Sequence, residues 1–89
     1  MPRFTFHATP NPNSLKITSS GGTSFISEGM ASFNSAEEAV GHDLGAALFA
    51  IEGVANVFIL PQFLTVTKHP DVRWKKLQPA IEAVLQAHV

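Results

Sequence analysis

The sequence predicts an α+β fold in two layers: a mostly antiparallel sheet with two short helices and one long C-terminal helix packed on one face. Three observations carry this prediction. Apolar residues alternate at period two near the start and again past the middle of the chain, marking strands. Apolar stripes at helical spacing lie between and after those runs. The order of strands, helices, hairpin and helix suits one sheet covered on one side. At 89 residues the chain makes one domain, 1–89, and buries only about 60 to 65% of its unfolded surface. A hydrophobic content of 45%, with seven phenylalanines and one tryptophan, still supplies a core.

Phe4, Phe6 and Ala8 alternate with Arg3, Thr5 and His7, as in a half-buried strand. Pro10-Asn11-Pro12-Asn13 then makes a stiff corner, because a residue before proline is held extended and asparagine side chains bond backbone two residues on. Leu15 and Ile17 resume the alternation against Lys16 and Thr18, giving a second, adjacent strand. Ser19 to Thr23, with Gly21-Gly22 and no apolar residue, reads as a mobile loop. Phe25-Ile26 and Met30 to Phe33 read as short strand pieces around a bend at Gly29.

Ser35-Ala36-Glu37-Glu38 has capping-box spacing, so a first helix is expected from Ala36, ending before Gly41. Asp43 is the expected start of a second, in which Leu44, Ala47, Leu48 and Ile51 form one stripe and Gly53 supplies a left-handed cap. Val54 to Leu60 and Phe63 to Lys68 flank Pro61-Gln62 as a hairpin. The first run is apolar on both faces, as in a central strand; the second alternates Leu64 and Val66 with Phe63, Thr65 and Thr67. Asp71 is the expected cap of a last helix with Trp74, Leu77, Ile81, Val84, Leu85 and His88 on one side, and Pro79 either kinks this helix or begins it. Away from the helices the sheet would present Arg3, Thr5, His7, Lys16, Thr18, Thr65 and Thr67, a polar and weakly basic face.

Composition narrows the chemistry. Without cysteine the chain has no thiolate for a cluster, a zinc site or a nucleophile. A net charge of −1 and a pI near 6.4 argue against nucleic acid, whose affinity comes from cations on phosphates. No apolar run approaches the roughly 20 residues of a membrane span. The strand-like start lacks a signal peptide's apolar stretch, so a cytoplasmic protein is expected. His7, His42, His69 and His88 show no metal-ligand spacing. Neither a nucleophile elbow nor a phosphate loop is present. No catalytic, cofactor-binding or metal-binding residue emerges, and the expectation is a protein that is not an enzyme.

Six blocks in order carry a family resemblance: Thr9 to Lys16 (TPNPNSLK), Ala31 to Ala39 (ASFNSAEEA), Leu48 to Val54 (LFAIEGV), Val57-Phe58, Phe63 to Lys68 (FLTVTK) and Trp74 to Pro79 (WKKLQP). Together they resemble the N-terminal domain of Nfu-type (NifU-like) iron–sulfur scaffold proteins, over nearly the whole chain. In full-length members this domain precedes a second one, whose CxxC pair binds an iron–sulfur cluster between two subunits. The chain ends at Val89, where that domain would begin, so it is read as a stand-alone domain.

The resemblance implies a non-catalytic, protein-binding accessory module of cluster assembly or delivery. It binds no cofactor alone, and any iron–sulfur cluster is held in trans. The implied partners are iron–sulfur assembly proteins or a separate CxxC-containing Nfu-type protein, with no nucleic acid and no membrane. Candidate partner-binding residues are Asn11, Asn13 and Lys16 at the corner, with Phe63, Thr65 and Lys68 on the hairpin, positions that core packing does not explain. The alternative is a small-molecule, anion or peptide binding domain, or a minor enzyme, with His7 and Thr65 taking a small anion. Two turns depart from the family pattern. Pro61-Gln62 stands where many relatives have glycine and a charged residue, and His42-Asp43 replaces the common Ser-Pro start of the second helix.

Overall fold

The alternating runs become strands because each can bury one set of side chains and keep the other in water. The computed structural model describes residues 3–20 and 24–89. Its strands are β1 (Phe4–Ala8), β2 (Ser14–Ser19), β3 (Ala31–Phe33), β4 (Val54–Ile59) and β5 (Phe63–Lys68); its helices are α1 (Asp43–Phe49) and α2 (Trp74–His88). The sheet order is β1-β2-β5-β4-β3, antiparallel at every step. The two hairpins therefore lie side by side, joined through β2 and β5.

Register decides which face meets the helices. Phe6 stands opposite Ile17, Ile17 opposite Leu64, and Leu64 opposite Ile59, while Val66 faces Val57. Ile17, Val57, Ile59, Leu64 and Val66 are fully buried in one cluster with Leu48 of α1 and Leu77, Ile81 and Leu85 of α2. Burying each such side chain stabilises the fold by about 1.5–3 kcal/mol.

Among the described residues there is one short helix before the hairpin, not two. The capping box at Ser35 half forms: the Ser35 hydroxyl accepts from the Glu38 N–H at 3.3 Å, but Glu38 accepts from the Asn34 N–H at 2.8 Å. Ala39 then bonds back to Ala36, and His42 to Ala39, which are turn bonds spanning three residues. Gly41 adopts φ +90°. So short a segment ends before an α-helical ladder repays its nucleus, and it stays a series of turns.

The start of α1 is set by His42, not Asp43. His42 has an extended backbone and its Nδ1 accepts from the Gly45 N–H at 3.0 Å, the work a serine cap usually does. Asp43 sits inside the first turn, where a carboxylate suits the positive end of the helix. The His42 ring packs on Phe33 with centroids 5.1 Å apart. A Cβ at Gly45 would stand 2.6 Å from the Phe33 ring, so this glycine lets β3 close on α1.

Two further expectations need correction. Asp71 does not cap α2: Arg73 is the N-cap residue, with no side-chain cap bond, and the helix runs unbroken from Trp74 through Pro79 to His88. Pro79 removes the bond to the Lys75 carbonyl, and both residues lie on an exposed side of the helix, where a lost backbone bond costs least. Phe25-Ile26 is no strand either. Phe25 is a buried plug, its ring centroid 6.0 Å from that of Phe4 and its N–H donating to the Pro61 carbonyl at 3.1 Å. Residues 21–23 of the expected glycine loop lie outside the described residues.

Gly53 has the expected positive φ, +104°, but it lies in the turn past the helix, whose C-cap is Ala50 in right-handed backbone; a Cβ at Gly53 would lie 3.0 Å from both methyl carbons of Val72. Gly53→Ala should destabilise the protein by about 2 kcal/mol, since a side chain in this backbone region is strained. Urea unfolding followed by tryptophan fluorescence measures this; an unchanged midpoint refutes the requirement.

Candidate functional site

The face turned away from the helices is read directly from the register, because antiparallel partners share a face. One row crosses all the strands: His7 opposite Lys16, Lys16 opposite Thr65, Thr65 opposite Phe58, and Phe58 opposite Ser32. Beside it run Thr5–Thr18–Phe63 and Ser14–Thr67–Asn56. Thr5, His7, Lys16, Thr18, Thr65 and Thr67 thus form the polar surface that the alternation predicts. The sequence reading missed Phe58, because an apolar run such as VANVFI looks buried on both sides until pairing with Thr65 shows which face its phenylalanine shares.

This surface is ordered by contacts within itself. The Lys16 ammonium stands 4.6 Å from the Phe63 ring centroid, a cation–π contact that fixes the charge over the middle of the face. His7 Nε2 and the Thr18 hydroxyl lie 2.9 Å apart, the Ser14 and Thr67 hydroxyls 2.7 Å apart, and the Asn56 amide donates to Asn34 Oδ1. His7 is thus already engaged with Thr18, and an anion site built from His7 and Thr65 would have to break that bond. Among the described residues there is neither an enclosed cavity nor a group of three side chains able to hold a metal ion.

The proline–asparagine corner forms a second cluster. Asn11 Oδ1 accepts from the Asn13 N–H at 2.9 Å, and the Ser14 N–H donates to the Asn11 carbonyl at 3.0 Å, closing the turn. The Thr9 hydroxyl accepts from the Asn11 N–H at 3.2 Å and donates towards the Ser14 carbonyl at 3.0 Å. Outward bonds tie this turn to the rest of the chain. The Lys68 N–H donates to the Asn13 carbonyl at 2.8 Å, Lys68 Nζ to Asn13 Oδ1 at 3.0 Å, and the Trp74 indole N–H to the Pro12 carbonyl at 3.1 Å.

The six candidate residues therefore separate. Lys16, Phe63 and Thr65 come together on the open face. Asn11 and Asn13 belong to the corner, and so does Lys68, which is only 8% exposed. Lys68 follows Leu64 and Val66 on the helix side of β5, with its ammonium also 3.4 Å from the His69 carbonyl and 5.9 Å from the Trp74 ring centroid. Its expectation as an exposed contact is corrected by that alternation.

Asn13→Ala should cost about 1–3 kcal/mol, because it strips a buried ammonium of an acceptor. Lys68→Met, which removes the charge with its need, should cost less. Denaturant titrations of both variants and of the double variant measure this, and equal, additive losses would dissolve the proposed coupling.

The family model described as scaffold protein Nfu/NifU N terminal matches residues 4–89. NifU-like protein 5, mitochondrial, of Arabidopsis thaliana is 44% identical over 78 residues, covering 88% of this chain and 28% of the relative. The human NFU1 iron-sulfur cluster scaffold homolog, mitochondrial, is 40% identical over 78 residues, covering 86% of this chain and 30% of the relative. The chain thus spans less than a third of the length of these relatives. Among solved structures, a NifU-like protein from Saccharomyces cerevisiae aligns with a TM-score of 0.79 at 27% identity over 96% of this chain and 76% of that one. Protein SAV1430 from Staphylococcus aureus aligns with a TM-score of 0.72 at 26% identity over 91% and 94%. The mitochondrial names of the plant and human relatives overturn the expectation of a cytoplasmic protein; a strand-like N-terminus carries no information about compartment.

Proposed function

The chain belongs to the Nfu/NifU N-terminal family, and on that premise we propose that it serves iron–sulfur cluster assembly as a non-catalytic docking module. Its partner in this reading is an assembly protein or a CxxC-containing Nfu-type protein, and the partner holds the cluster. The observation that carries the proposal is the open sheet face: a preordered surface with Phe58, Phe63 and Lys16 at its middle, opposite the face whose core side chains pack with α1 and α2. Half-buried aromatics on a surface whose polar groups already satisfy one another lose little entropy on meeting a partner. The absence of cysteine supports the division of labour, since clusters are held chiefly by thiolates.

The contacts are assigned to Lys16, Phe63 and Thr65 of the original candidates, joined by His7 and Phe58. Asn11, Asn13 and Lys68 hold the corner that supports β2 and β5. No specific observation favours the small-molecule reading.

Thr65→Trp sets bulk in the centre of the face and should weaken capture of a purified CxxC-bearing Nfu-type protein about tenfold, whereas Lys75→Ala on the outside of α2 should leave it intact. Biolayer interferometry reads the difference; undiminished capture by Thr65→Trp overturns the docking face.

A further inference from the structure

We propose that this face is built for an acidic segment of a protein partner, carboxylates seating on Lys16 beside apolar side chains that lie on Phe58 and Phe63. The inference rests on the docking reading of the same face and adds the chemistry of what docks. It comes from where the charges fall. None of the strands, FTFHA, SLKITS, ASF, VANVFI and FLTVTK, contains a carboxylate. Residues 17–67 contain no lysine or arginine, yet they hold five of the seven carboxylates: Glu28, Glu37, Glu38, Asp43 and Glu52.

The sheet order turns that sequence asymmetry into a spatial one. Strands β1 and β2, with His7 and Lys16, form one margin of the sheet, and exposed Arg3 immediately precedes β1. Strand β3 forms the opposite margin, where Glu38 is bonded to the Asn34 N–H just past its end. A partner meeting this surface is therefore attracted at the β1–β2 side and repelled at the β3 side, which fixes its orientation as well as its encounter rate.

The geometry at Lys16 fits the role. Its ammonium is held over the Phe63 ring at 4.6 Å, and its neighbours across the strands are His7 and Thr65, neither an acid. An arriving carboxylate gains a charge-assisted bond while the aromatic contact stays in place. The two phenylalanines supply the apolar area from which most docking energy comes. Nucleic acid is the poorer fit, because a single lysine on the face neutralises too few phosphates.

The test is a heteronuclear NMR titration of the 89-residue chain with two short peptides of identical apolar residues, one bearing Asp and Glu, the other Lys in their places. The acidic peptide should shift the amides of His7, Lys16, Phe58 and Thr65 and bind about tenfold tighter at low salt, the gap shrinking as salt screens the charges. Lys16→Glu should invert the preference. Equal binding of the two peptides, shifts confined to Lys75 and Lys76, or tighter binding of oligothymidylate overturns the proposal. So does a concentration-dependent dimer that produces the same shifts without peptide, which would make a second copy the occupant. If the CxxC-bearing partner is still captured by Lys16→Glu but lost by Thr65→Trp, the acidic chemistry fails and the docking face stands; capture by both removes the docking face as well.

Discussion

The pairing of β2 with β5 is the contact on which the rest of this structure depends. It joins two hairpins about fifty residues apart in sequence, setting Ile17 against Leu64 on one face and Lys16 against Thr65 on the other. Side chains alternate with period two, so a slip of one residue would send Lys16 into the core and Ile17 into water. Both the helix-covered face and the open face depend on this register. Loop closure over that distance has a real entropic cost, so the register needs fixing beyond what hydrophobic alternation alone supplies.

The proline–asparagine corner supplies that fixing. The bond from the Lys68 N–H to the Asn13 carbonyl follows directly on the Ser14–Thr67 pair, so it continues the β2–β5 ladder by one rung. The Asn13 side chain then satisfies the Lys68 ammonium, and Trp74 bonds Pro12 from the first residue of α2. A stiff turn is suited to this task because little backbone freedom is lost when it locks. The corner thus ties the end of β5 and the start of the last helix to the β1–β2 hairpin.

How much of this the sequence discloses depends on the range of each interaction. Alternation at Phe4, Phe6, Ile17, Leu64 and Val66 needs only neighbours along the chain, and those strands were legible. So was the positive φ at Gly53. The capping box at Ser35 looked the same in sequence as one that starts a helix, and only the short distance to Gly41 decided for turns. His42 was hard to recognise as a cap because histidine rarely fills that position; its ring is held there by Phe33, a contact from another element. Phe58 and Lys68 were misread for one reason. The side of a strand a residue faces is fixed by pairing, and neither the apolar run of β4 nor the charge of Lys68 reveals its partner.

Strand β2 carries both systems at once, and this governs how any variant should be interpreted. Ser14, Lys16 and Thr18 face the open surface, Ile17 faces the helices, and Asn13 just before them holds Lys68. A change at the corner shifts the segment that carries Lys16 without touching a partner. Loss of binding by an Asn13 variant is therefore no evidence of a contact at Asn13 unless stability is unchanged. A change at Lys16 meets no buried acceptor; it alters the charge of the surface and its contact with the Phe63 ring. The same alternation that makes the two roles adjacent in sequence sets them on opposite sides of the sheet, so paired measurements of stability and binding separate them.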